Sequence, residues 1–179
     1  MNQVEMNKEA KLSDHFTLGE LTRSKSHPEI YNIPSHVHIE NLKRVCVWLE
    51  ALRERYNRRY VLAGAGGQVP KVEVFGENFI SRPDPEEPIV ITSGYRSAEL
   101  NRKVGGVATS NHLTGCAVDI RVAGKEQLIR YACILLDYAD ETRQDFDELL
   151  LEHGANGVIW LHFAVRAQGN RRKISFLKA

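Results

Sequence analysis

Two histidines and a small set of acidic residues stand in this sequence at spacings that could build a metal-dependent hydrolytic site. His112 and Asp119 lie seven residues apart, on either side of Gly115, in Ser110 to Asp119, SNHLTGCAVD. Imidazole nitrogen and carboxylate oxygen are good donors for Zn2+, and a third protein ligand with one position left open makes a catalytic rather than a structural site. The third donor is sought in Val158 to Val165, VIWLHFAV, where His162 stands in an apolar, β-branched run that reads as a buried strand. Water activated at such a metal needs a carboxylate outside the ligand set, to take its proton and pass it to the leaving amine.

Strand parity decides how these groups can be presented. Alternation places Leu161, Phe163 and Val165 on one face of the later strand and Trp160, His162 and Ala164 on the other. In Cys116 to Arg121 the same rule turns Cys116, Val118 and Ile120 to the core and Ala117, Asp119 and Arg121 away from it. Each strand then offers one ligand, while His112 comes from the loop entering the first of them, with Gly115 making the turn. Two histidines and an aspartate spread along a chain can equally be unrelated surface residues. Here other signals accompany them.

Ser93 to Ser97 (SGYRS), Leu100 and Asn101 (LN), Val104 to Gly106 (VGG), the S-x-H-x-x-G-x-A-x-D pattern of Ser110 to Asp119 and W-x-H at Trp160 to His162 resemble the zinc D-Ala-D-Ala peptidases of family M15. FTLGELTRS at Phe16 to Ser24 resembles that family's N-terminal segment. The resemblance implies an α+β fold of the hedgehog/D-Ala-D-Ala-peptidase type, with a small antiparallel sheet carrying the site on one face and helices on the other. It implies one Zn2+ per chain, held by His112, Asp119 and His162, and hydrolysis of a peptide bond next to a D-amino acid in peptidoglycan stem peptides. Arg96 matches the arginine that holds a substrate carboxylate, a bidentate pairing suited to a guanidinium, and the alternative is that it only braces the following loop. Ser110 matches a second polar substrate contact, and Tyr95 is a candidate for the cleft wall. FDELLLE at Phe146 to Glu152 resembles the segment bearing the catalytic glutamate, which makes Glu152 the general base with Asp147 and Glu148 as competitors. Related zinc peptidases often set that glutamate nearer the last histidine than the ten-residue step from Glu152 to His162. His153 reads as an alternative ligand, a transition-state donor or an exposed turn residue, with exposure the default, and His36 and His38 read as a solvated helix start ahead of a zinc role.

Two other function classes share some of these features. A non-catalytic zinc-containing cell-wall-binding module would keep the ligands without a carboxylate in reach of the water. A non-haem Fe(II) oxygenase also uses two histidines and one carboxylate, but usually spaces the first pair as H-x-D rather than H-x6-D.

The remaining sequence bounds the setting. A length of 179 residues with 42% hydrophobic and 26% charged residues suits a single globular domain. A net charge of +1 gives no reason to expect nucleic acid or an acidic membrane as partner, and a monomer is expected. Cys46, Cys116 and Cys133 sit in apolar segments without C-x-x-C spacing and read as small hydrophobes from a reduced compartment. MNQVEMNKEAKLSDHF has no apolar signal-peptide core, and no run approaches the ~18 apolar residues of a membrane span. These features suit a prophage-type enzyme made in the cytoplasm and acting on the wall after release.

Along the chain, residues 1–15 are polar and expected to be flexible. Phe16 to Thr22 forms a helical turn, capped by Thr17 with Glu20 three residues on, and a loop follows over residues 24–34. Apolar spacing from Ile39 to Tyr56 predicts a long helix starting at Ser35. Residues 57–88, glycine-rich and then broken by Pro83, Pro85 and Pro88, read as an inserted hairpin or flap. A strand at Ile89 to Thr92, helices at Ala98 to Val104 and Lys125 to Tyr138, a charged link at Asp140 to Asp145, a basic turn at Arg166 to Lys173 and a last strand at Ile174 to Leu177 complete the reading. The basic turn reads as solvated or as a contact for anionic glycan.

Overall fold

Thr17 opens the first helix, α1 (Leu18–Thr22), through a reciprocal pair of contacts: its hydroxyl accepts from the Glu20 N–H, and the Glu20 carboxylate accepts from the Thr17 N–H. This capping box satisfies donors that a helix start leaves without partners. A helix this short does not stand alone, so burial of Leu18 and Leu21 is what keeps it in place. In α2 (His36–Asn57) the residues Leu42, Val45, Cys46, Leu49, Leu52 and Tyr56 are buried at the helical spacing predicted for them. The computed structural model describes residues 6–57, 73–74, 77–78 and 87–178. Of the expected insertion, β1 (Glu73–Val74) and β2 (Glu77–Asn78) pair antiparallel, and the remainder of 58–86 lies outside the described residues.

The chain continues through β3 (Ile91–Ser93), α3 (Ala98–Lys103), a 3-10 helix over Asn111–Thr114, β4 (Ala117–Arg121), α4 (Lys125–Thr142), β5 (Glu148–His153), β6 (Ile159–Ala164) and β7 (Lys173–Lys178). The last five strands form one sheet in the order β3-β4-β6-β5-β7. Val118, Ile120, Leu149, Leu151, Leu161 and Phe163 project from one face into the core, against α2 and α4. Trp48 of α2 lies between Tyr138, Phe146 and Phe163 at ring-centroid distances of 4.9, 6.3 and 5.3 Å. The fold is therefore α+β with its helices on one face of a small sheet, and Asp119 and His162 on the other, as strand parity requires.

Three features differ from the sequence expectation. The sheet is mixed rather than wholly antiparallel, because β7 runs parallel to β5. The chain leaves β6 at the end where β5 begins, so a link of residues 165–172 stepping over that one strand enters the outer edge in the direction of β5. Helix α4 runs to Thr142, past the predicted end, because Ala139 still packs in the core before Arg143 adopts a left-handed φ of 55°. Residues 6–15 are tied to the domain: the Leu18 and Gly19 N–H groups donate to the Ala10 and Lys8 carbonyls, and Ser13 and His15 both bond Glu50 of α2. Among the described residues no helix is long and apolar enough to cross a membrane.

Gly115 joins the 3-10 helix to β4 at φ 71°, and a Cβ there would stand 2.6 Å from the His38 carbonyl oxygen. Gly115→Ala therefore meets both a left-handed backbone and a backbone clash. It is expected to lower stability by at least about 2 kcal/mol, read from urea denaturation midpoints.

Candidate metal centre

The residues that meet on the open sheet face come from three separate stretches of chain. The Ser110 hydroxyl accepts the His112 N–H at 3.3 Å and so starts the 3-10 helix that turns the imidazole inward. His112 Nδ1 lies 2.7 Å from the Gly94 carbonyl oxygen. A carbonyl only accepts, so Nδ1 carries the hydrogen and Nε2 presents its lone pair. The carbonyl is itself fixed from behind, since Gly94 packs so closely on α1 that a Cβ would fall 2.2 Å from the Leu21 carbonyl oxygen, which already accepts the Tyr95 N–H.

Asp119 and His162 are direct neighbours across β4 and β6. Asp119 Oδ1 stands 2.9 Å from His162 Nδ1 and 3.2 Å from His112 Nε2. One donor atom from each of the three buried residues lies within 4.8 Å of the other two. Arg96 holds the far oxygen, donating from Nη2 to Asp119 Oδ2 at 2.5 Å and from Nε to Ser93 Oγ at 2.7 Å. The carboxylate is thus turned so that Oδ1 faces both rings.

This arrangement fits a cation. Around tetrahedral zinc, with bonds of about 2.0–2.1 Å, donor atoms lie roughly 3.3 Å apart, close to the two contacts of Asp119 Oδ1. The His112 lone pair and Asp119 Oδ1 otherwise face each other as two acceptors. Burial lowers the proton affinity of His112 despite its carboxylate neighbour. Burial would raise that of Asp119, but the two imidazoles outweigh it and hold the carboxyl far below the usual range. Burial would likewise lower His162, yet its contacts with Asp119 and Glu148 push its pKa up to about 9. The buried His-Asp-His site can hold a metal.

The register also sorts the three candidate bases. Glu148, Leu150 and Glu152 of β5 share the His162 face, with Glu152 directly opposite Trp160 and Glu148 opposite Ala164. The ten-residue step from Glu152 to His162 is taken up by the β5–β6 hairpin, so the two side chains are diagonal neighbours on one face. Burial raises the proton affinity of Glu152, and the group has no ion-pair partner among the described residues. Glu148 differs, because its contact with His162, aided by Asn111 and Lys173, holds its pKa down to about 2. Asp147 is fully buried and takes a bidentate grip from Arg171, at 2.8 and 2.7 Å, besides Arg166 at 3.0 Å. A carboxylate held ionised in this way is a poor base at neutral pH, whereas Glu152 is suited to the task.

Other predicted residues have different placements. Ser110 serves as the cap described above. Tyr95 is buried in the core and stacked on His38, with ring centroids 4.8 Å apart, rather than forming an open cleft wall. His36 is exposed on α2, and His153 is exposed on the side of β5 opposite Glu152. The basic turn is neither free nor simply solvated: Arg166 and Arg171 reach Asp147, Arg172 reaches Asp140 and Asp145, and Lys173 reaches Glu148.

Sequence reasoning missed Asn111. Its Nδ2 donates to Asp147 Oδ2 at 2.7 Å and to Glu148 Oε2 at 2.9 Å, while its Oδ1 accepts from Arg166 Nε at 2.9 Å. An asparagine next to a capping serine reads as an ordinary turn residue, and nothing in its spacing marks the buried role.

A family model described as Peptidase M15 matches residues 81–138, about a third of the chain. That stretch contains Arg96, Ser110, His112 and Asp119, while Glu152 and His162 lie beyond it. No curated protein matches the chain.

A proton on His162 Nδ1 competes with a metal for the same lone pair. With the pKa raised from 6.5 to about 9, the protonated ring stabilises the metal-free fold fully below pH 6.5 and this contribution fades as pH rises through about 9. Zinc uptake near pH 6.5 is therefore expected to release about one proton from His162, and less as pH approaches 9. Calorimetric titrations in buffers of different ionisation enthalpy measure this number.

Proposed function

We propose, from the peptidase M15 assignment that the match over residues 81–138 supports, that this protein is a zinc metallopeptidase acting on the bond next to a D-amino acid in peptidoglycan stem peptides. One observation carries the catalytic part of the reading: Glu152, without an ion pair and with its proton affinity raised by burial, lies diagonally across from His162 on the face bearing the His-Asp-His cluster. A non-catalytic zinc module has no need of such a carboxylate there. The peptidoglycan part rests on the motif resemblance, above all SGYRS, S-x-H-x-x-G-x-A-x-D and W-x-H.

His112 Nε2, Asp119 Oδ1 and His162 Nδ1 would hold one Zn2+ per chain. When bound, the metal supplies Lewis acidity that polarises the scissile carbonyl and acidifies water. Glu152 takes the proton from the attacking water and delivers it to the leaving amine nitrogen, a task for a carboxylate whose pKa is raised toward the working pH. Trp160 stands directly opposite Glu152 on the same face. Arg96 keeps Asp119 Oδ1 aimed at the metal position by holding Oδ2.

Metal analysis with peptidoglycan digestion tests the reading. Purified protein should carry close to one zinc, and His162→Ala should lose it. Glu152→Ala should keep the metal and lose about 10²- to 10⁴-fold in turnover. An active Glu152→Ala protein would move the base elsewhere, and mass spectrometry of the digest identifies the bond cut.

Arg96 supplies a further check. Ser93 and Asp119 already engage its Nε and one Nη. Arg96→Ala should therefore lower kcat/KM to the same extent on a pentapeptide stem with a free terminal carboxylate and on a cross-linked dimer. A loss confined to the stem would instead make Arg96 the anchor of that carboxylate.

A further inference from the structure

Among the described residues, one buried atom inside the site has no hydrogen-bond partner: His162 Nε2. The nearest acceptor facing it is Glu148 Oε2, 3.5 Å away. The other ring nitrogen, Nδ1, faces Asp119 Oδ1 at 2.9 Å and is the one aimed at the metal position. A neutral imidazole carries one hydrogen, so Nδ1 has a lone pair to give only when that hydrogen sits on Nε2. A buried Nε2–H in turn requires an acceptor.

Glu148 is built to be that acceptor and to stay still. Oε2 accepts from Asn111 Nδ2 at 2.9 Å, and Oε1 accepts from Arg171 Nη2 at 2.8 Å with Lys173 Nζ at 3.4 Å. These donors come from the 3-10 helix, from the link before β7 and from β7 itself, so three parts of the fold fix one carboxylate. Oε2 retains a lone pair on its His162 side, and closing the gap to hydrogen-bond length needs a shift of only a few tenths of an ångström.

We propose that Glu148 is a positioning residue whose Oε2 accepts the Nε2 hydrogen of His162 and thereby fixes the tautomer that offers Nδ1 to the metal. This rests on the zinc reading above. It gives β5 two carboxylates of opposite use on one face: Glu148 immobilised behind a ligand, Glu152 left able to gain and lose a proton.

The test measures zinc affinity of metal-free wild type, Glu148→Ala and Glu148→Gln by competition with a chromophoric chelator, alongside circular dichroism and melting temperature. Glu148→Ala is expected to bind zinc about 10- to 100-fold more weakly. Glu148→Gln, which keeps an acceptor oxygen, should recover most of that loss. A folded Glu148→Ala protein binding zinc within twofold of wild type overturns the proposal, and so do equal losses in both variants, the pattern of a merely structural residue. Wild type that takes up no zinc overturns this inference together with the zinc reading, whereas normal uptake by all three proteins overturns the inference alone. Should the alanine variant not fold, long-range ¹⁵N–¹H spectra of zinc-loaded wild type decide the matter. A His162 ring protonated at Nε2 supports the proposal, and one protonated at Nδ1 overturns it.

Discussion

Asp119 Oδ1 is shared by two imidazoles, and the arrangement around it depends on keeping that single oxygen in place. The oxygen stands between His162 Nδ1 and His112 Nε2, while Arg96 grips its partner Oδ2. A carboxylate in water rotates freely between such partners. Here it is buried, its backbone is locked between β3 and β6, and both oxygens are assigned. Several distant choices serve this end: the tight packing of Gly94 on α1 sets the orientation of His112, and the pairing of Asp119 with His162 sets the height of the second ring.

Behind this cluster lies a second polar layer that stabilises rather than reacts. Asp147, Glu148, Asn111, Arg166 and Arg171 satisfy one another, so the negative charges of the FDE segment are matched by the basic turn after β6. A buried charge left without a partner is strongly unfavourable, whereas one with several hydrogen bonds is tolerated and holds its surroundings in one arrangement. The arginines of residues 166–172 are therefore committed within the domain. Cationic residues that look unpaired in the sequence each have an acidic partner in the fold.

Much of the site is legible in the sequence. Alternation alone placed Asp119 and His162 on the face away from the core, because a strand with one buried face has only two choices for each side chain. Helix spacing in α2 and the Thr17–Glu20 cap were equally readable, as these are local effects. What sequence did not show is which neighbours a long side chain finds. Arg96 reads in sequence as a substrate anchor or as a brace for the following loop, and only the fold shows Asp119 beside it; Tyr95 reads as a cleft residue, and only the fold shows α1 and His38 around it. Asn111 and the direction of β7 belong to the same class, since both depend on chain segments that meet only after folding.

The hairpin between β5 and β6 bears on how an arrangement of this kind can vary between chains. Glu152 and His162 are held at their mutual distance by ladder register, with Glu152 opposite Trp160, and not by the number of residues in the turn. The turn after His153 is exposed, with Gly157 at a φ of 79°, and loop length there carries only a small entropic penalty. Insertions or deletions in that turn leave the two groups where they are. The interval between the two residues can thus drift while the geometry stays constant, so a search pattern with a fixed gap would overlook chains that carry the same arrangement, and one anchored on paired strand positions would find them.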